Sequence, residues 1–159
     1  MKQFWNQLPV WGKAIFLAVL AFGLYRAGRW VIRQWNTKGQ KQELNDNTTN
    51  IQNLQQQGLV ASYSGGQYST WTNQLKEAFS GCGTSNGVWR NVFSKMKNDL
   101  DVALLIDAYG VRTYDQCNWE GDFGDFTGSL SEALVNELSS SELQEVNKLL
   151  ESNKVNFRF

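Results

Sequence analysis

From Gln67 onward, apolar positions recur with a spacing near 3.6 residues, and each recurrence predicts a short helix. Trp71, Leu75, Ala78 and Phe79 mark a first apolar face, which ends at Gly81. Val88, Trp89, Val92, Phe93 and Met96 mark a second. Leu100, Ala103, Leu104, Ile106 and Tyr109 mark a third, ended by Gly110. Leu130, Ala133, Leu134 and Leu138 mark a fourth, and Leu143, Val146, Leu149 and Leu150 a fifth. Polar residues agree with these boundaries. Asp99 precedes the third face, and Ser139 to Ser141 precede the fifth, with Glu142 in its first turn. The expected fold class is therefore all-α, a small five-helix domain over residues 67–159. Between the third and fourth faces lies a Gly- and Asp-rich insertion at 111–128, VRTYDQCNWEGDFGDFTG. The ending, VNFRF, packs back on the bundle or forms a short extended tail.

The chain before this domain follows a different pattern. Residues 8–35 read LPVWGKAIFLAVLAFGLYRAGRWVIRQW, in which nothing from Ala14 to Tyr25 is charged. From Leu8 the apolar stretch runs about 18 residues, near the lower limit for crossing a bilayer. Trp5, Trp11, Tyr25, Trp30 and Trp35 cluster at its two ends, the level that amphipathic aromatics favour. Arg26, Arg29, Arg33 and Lys38 all follow it. By the positive-inside tendency, the C-terminal part then faces the inner side. A transmembrane helix within residues 1–35 is expected. A signal peptide lacks a small-residue cleavage site here, and an interfacial helix is the other rival. Residues 36–66 are rich in Gln, Asn, Ser and Gly, with few apolar residues, and read as a flexible tether, partly helical at most. The sequon at Asn47 is expected by chance in such a stretch.

Composition removes several function classes. Formal net charge is zero, so nothing favours nucleic acid. There is no histidine, the commonest general base and metal ligand. Cys82 and Cys117 form one disulfide in an oxidising compartment or stay as two thiols in a reducing one. Asp107, Asp115, Glu120, Asp122 and Asp125 offer carboxylates for acid–base chemistry. No histidine base accompanies them and no groove can be read from the sequence, so no enzyme is expected and solvated loop acids are the simpler reading.

The loop Gly81-Cys82-Gly83-Thr84 and the run SLSEALVNELSSSE at 129–142 carry a family resemblance. In their order within five short helices, residues 67–152 resemble a single annexin repeat. The resemblance implies a calcium site made by the carbonyls of Phe79, Gly81 and Gly83 and the side chain of Glu137. Glycine lets such carbonyls converge, and calcium accepts carbonyl and carboxylate oxygens. It also implies that Glu137 lies close to the Gly81–Thr84 loop. Ser85 and Asn86 stand where the family usually carries acids, and the 111–128 insertion departs from it. With calcium aside, no cofactor is expected.

Anchor, tether and lone repeat together resemble membrane-associated structural proteins of bacterial viruses with an internal membrane. That architecture implies a virion component linking a lipid membrane to the protein shell or vertex. Its partners would be the bilayer and a capsid or membrane protein, with Trp119, Phe123 and Phe126 supplying contacts. The alternatives are a bacterial envelope protein with a calcium-dependent lipid- or protein-binding domain, and a membrane-bound hydrolase.

Overall fold

The computed structural model describes residues 19, 21, 22, 24, 38–81, 84–116 and 125–159. The chain divides into two units, Met1–Gly39 and Gln40–Phe159. In the first, Val19, Ala21, Phe22 and Leu24 are helical. The expected membrane span at 8–35 lies almost wholly outside the described residues. Among those residues, no helix is long and apolar enough to cross a membrane.

The second unit is mostly helical. Residues 38–56 form helix α1, and five further helices follow: α2 (Gly65–Phe79), α3 (Asn86–Phe93), α4 (Asp99–Tyr109), α5 (Leu130–Glu137) and α6 (Ser140–Ser152). The last five coincide with the five apolar faces in the sequence. Each buries its periodic stripe, as α2 does with Tyr68, Trp71, Thr72, Leu75, Ala78 and Phe79. Helix α4 buries Leu100, Val102, Ala103, Leu105, Ile106 and Tyr109, nearly all round, and so runs through the middle of the body. Helices α5 and α6 each open on a capping box, Ser129 with Glu132 and Ser139 with Glu142. One bidentate pair ties α3 to α6, with Arg90 Nε and Nη2 donating to Glu145 at 2.6 and 2.7 Å.

Two features correct the sequence reading. The tether expected at 36–66 contains a 38–56 helix that is docked on the body. Its inward positions follow a 4-3-4-3 spacing: Gln40, Leu44, Asn47, Ile51 and Leu54. The two amides on this seam are buried, so each needs a partner. Gln40 Nε2 donates to the Glu132 carboxylate (3.0 Å) and the Thr127 carbonyl (3.3 Å). Asn47 Nδ2 donates to the Ala103 carbonyl of α4 at 2.9 Å, which leaves the sequon asparagine inside the body.

The second correction concerns the insertion. Its base is an antiparallel hairpin rather than a loop, with β1 (Arg112–Tyr114) paired to β2 (Phe126–Gly128). Thr113 and Thr127 face each other, their hydroxyls 2.8 Å apart, and the Tyr114 and Phe126 rings lie 5.0 Å apart. β-Branched and aromatic cross-strand pairs favour this geometry. A Cβ at Gly128 would fall on the Phe126 ring and the Glu132 carboxylate, so any larger residue must displace them. Phe126 is partly buried against the core.

Candidate functional site

The α2–α3 loop, the hairpin and the end of α5 converge on one carboxylate. Helix α2 stops after Phe79, and Gly81 turns the chain at φ +86°, a conformation that side chains rarely adopt. The Gly81 N–H donates to the Asp115 carbonyl at 2.8 Å, and Gly81 bridges Gln116 just past β1. Beyond this turn, the Ser85 N–H donates back to the Ala78 carbonyl at 3.2 Å, which ties the start of α3 to the end of α2.

Glu137, the last residue of α5, lies against this loop. The Thr84 hydroxyl donates to the Glu137 carbonyl (3.3 Å) and to its Oε2 (3.4 Å). Its Oε1 accepts from Asn136 Nδ2 (2.9 Å), the Tyr114 hydroxyl (3.1 Å) and Gln116 Nε2 (3.2 Å). Four neutral donors thus surround one negative charge. Burial raises the Tyr114 phenol well above its ordinary value, and the Glu137 charge adds to the shift. Tyr109 is 2% exposed, and among the described residues its hydroxyl has no hydrogen-bond partner. Burial pushes that phenol up to about 12; the Arg112 charge opposes the shift and Glu137 adds to it.

The sequence-derived ligand set meets this geometry in part. Gly81 and Glu137 belong to one cluster, and the buried Phe79 ring stands 6.1 Å from Tyr114. Gly83 lies outside the described residues, as do Cys82 and Cys117. A cation chelated by both Glu137 oxygens would have to displace the Tyr114, Gln116 and Asn136 donors from Oε1. Among the described residues, no group of three or more Cys, Asp or Glu side chains is placed to hold a metal ion. Of the acids considered for catalysis, Asp107, Asp115 and Asp125 are exposed, while Glu120 and Asp122 lie outside the described residues.

Sequence reasoning missed Asp101, the buried carboxylate of the described residues. It accepts from the Tyr68 hydroxyl (2.6 Å) and from the N–H groups of Ser62 and Lys97 (2.9 Å each). It therefore ties the segment before α2, the start of α2 and the α3–α4 turn to α4. Burial first, then this hydrogen bond, raises the Tyr68 phenol far above its ordinary value. The available signal was the Asn98-x-x-Asp101 spacing: Asn98 caps α4 and accepts the Asp101 N–H at 3.0 Å. Arg112 was also missed. Its guanidinium bonds Thr72, Asn73 and the carbonyls of Ala108 and Tyr109, joining the hairpin to α2 and α4. No protein-family model, curated protein or solved structure matches the chain.

Proposed function

We propose that this chain is a membrane-anchored structural and interaction protein rather than an enzyme. The apolar segment at 8–35 holds it in a bilayer as a single span, and the helical body on the inner side binds a protein partner. In the setting that the architecture suggests, a bacterial virion, it links the internal membrane to the shell or vertex. The observation that carries a binding role is the use of the acids in the body. The Asp101 carboxylate accepts from three structural donors, and Glu137 from four. Carboxylates held this way brace the elements around them into a rigid scaffold. The test is fractionation of membranes bearing the full chain. Retention through an alkaline carbonate wash, followed by release in detergent as a complex with a shell-type protein, supports the proposal. Release by carbonate alone overturns it.

A second reading is an annexin-like repeat in a bacterial envelope protein that uses calcium. The contact of Thr84 with Glu137 and the order of five helices over 65–152 favour it. A calcium-dependent rise in melting temperature of the wild-type body, absent in Glu137→Ala, would decide for this second reading.

A further inference from the structure

After α6 the chain makes a sharp turn and then continues to Phe159 without helix or further turn. Its burial alternates: Val155 is buried, Phe157 and Phe159 are half-buried, and Asn156 and Arg158 are exposed. This period of two is strand behaviour at the edge of a helical body. Side chains take the place of a neighbouring strand. The Asn156 and Phe157 N–H groups donate to Asp99 Oδ1 at 2.6 and 2.9 Å, and Asn156 Nδ2 donates to Oδ2 at 3.0 Å. Asn147 holds Phe159 twice: its Nδ2 donates to the Phe159 carbonyl and its Oδ1 accepts the Phe159 N–H, both at 3.0 Å. The Phe159 ring stands edge-on to Phe93 with centroids 5.5 Å apart.

The turn itself is strained. Val155 N–H donates to the Leu150 carbonyl and Lys154 N–H to the Glu151 carbonyl, the double bond pattern that closes a helix through a left-handed residue. Glycine usually fills that position, but here Lys154 does, at φ 62°. Among the described residues it is the non-glycine residue with positive φ.

We propose that Asp99, Asn147 and Phe93 form a recognition cleft for an extended Asn-Phe-Arg-Phe segment. The cleft is filled by the chain's own strap in the monomer and by the strap of a second copy in an exchanged dimer. Main-chain hydrogen bonds plus pockets for alternate side chains are how extended peptides are recognised elsewhere. Each strap contact forms equally well within one chain or between two. Straightening Lys154 relieves its left-handed geometry, which favours the open form. Five extended residues reach about 17 Å, enough to enter a facing copy. Tethering copies to one surface raises their effective concentration and favours exchange further.

The test uses the full chain in detergent with Phe157→Ser and Phe159→Ser, and a fluorescein-labelled Val-Asn-Phe-Arg-Phe peptide as probe. Fluorescence anisotropy is expected to show saturable binding to this strap-defective chain. Binding about tenfold or more weaker is expected for wild type, whose cleft is filled, and for the strap-defective chain that also carries Asn147→Ala. A strap-defective chain with a native helical spectrum and no saturable binding overturns the proposal. Should the variant lose its helical spectrum, wild type decides. Refolded at rising concentration, it is expected to sediment partly as a dimer that excess peptide suppresses. A monomer at every concentration, or a dimer indifferent to peptide, overturns the proposal.

Discussion

Replacing Asp101 with alanine removes one carboxylate and leaves three donors behind. Tyr68, a residue 2% exposed, loses the 2.6 Å bond of its hydroxyl, which water has little room to replace. The Ser62 and Lys97 N–H groups each lose a 2.9 Å bond but lie nearer solvent and recover part of it. A net hydrogen bond to a charged group contributes about 1.5–3 kcal/mol, and a stranded buried donor costs about 1–3 kcal/mol. Counting Tyr68 in full and the two amides in part gives a loss of about 3–5 kcal/mol. For a body of this size, each kcal/mol moves the melting temperature by roughly 4 °C. The expected fall is therefore about 12–20 °C, read by circular dichroism at 222 nm. Tyr68→Phe alone should cost about 1–2 kcal/mol. In a double-mutant cycle the two changes should couple by about 1 kcal/mol or more, because they share one bond. A fall below about 3 °C for Asp101→Ala, or simple additivity with Tyr68→Phe, would refute the role of Asp101 as the tie between these segments.

Three further expectations follow from the same geometry. Lys154→Gly should raise stability by about 0.5–1 kcal/mol by removing a left-handed side chain, and chemical denaturation should show an unchanged m-value. The Tyr68, Tyr109 and Tyr114 phenols are all raised above their ordinary value, so the folded state keeps protons that the unfolded chain releases. Stability is then intact below pH 10 and lost as pH climbs toward 12 and beyond. Absorbance at 295 nm should rise cooperatively with unfolding; smooth titration of all phenols near pH 10 would contradict their burial. Glu137→Ala should lower stability by about 1–2 kcal/mol, because four donors lose a half-exposed acceptor. Thermal melts with and without calcium should show the same loss, and a wild-type-sized melting temperature for the variant would count against the Glu137 cluster.

How far the sequence carried depends on how many residues repeat each signal. The helices from 65 to 152 were legible because each places three or more apolar residues on one face, and Ser139 to Ser141 mark the start of the last. Helix α1 was not, since its seam alternates amides with Leu44, Ile51 and Leu54 in a Gln- and Asn-rich stretch. A buried amide looks polar in a sequence, and only the partner carbonyl of Ala103 makes it an inward position. The hairpin strands have three residues each, too short for a period of two to stand out. The proximity of Glu137 to Thr84 was implied by the resemblance to an annexin repeat, but the donors Tyr114 and Gln116 come from the hairpin and carried no signal of their own. Asp101 sits in the first turn of α4, and nothing local in the sequence indicated that Tyr68 would reach it.

The proposed membrane role is tested most directly by flotation. The full chain and residues 38–159 alone are each mixed with anionic vesicles, in EDTA and in calcium, and spun through a density gradient. The full chain should float in both conditions, and the body alone should stay at the bottom in both. A full chain that stays at the bottom, or a body that floats when calcium is added, would contradict an anchor in the N-terminal segment as the sole membrane attachment.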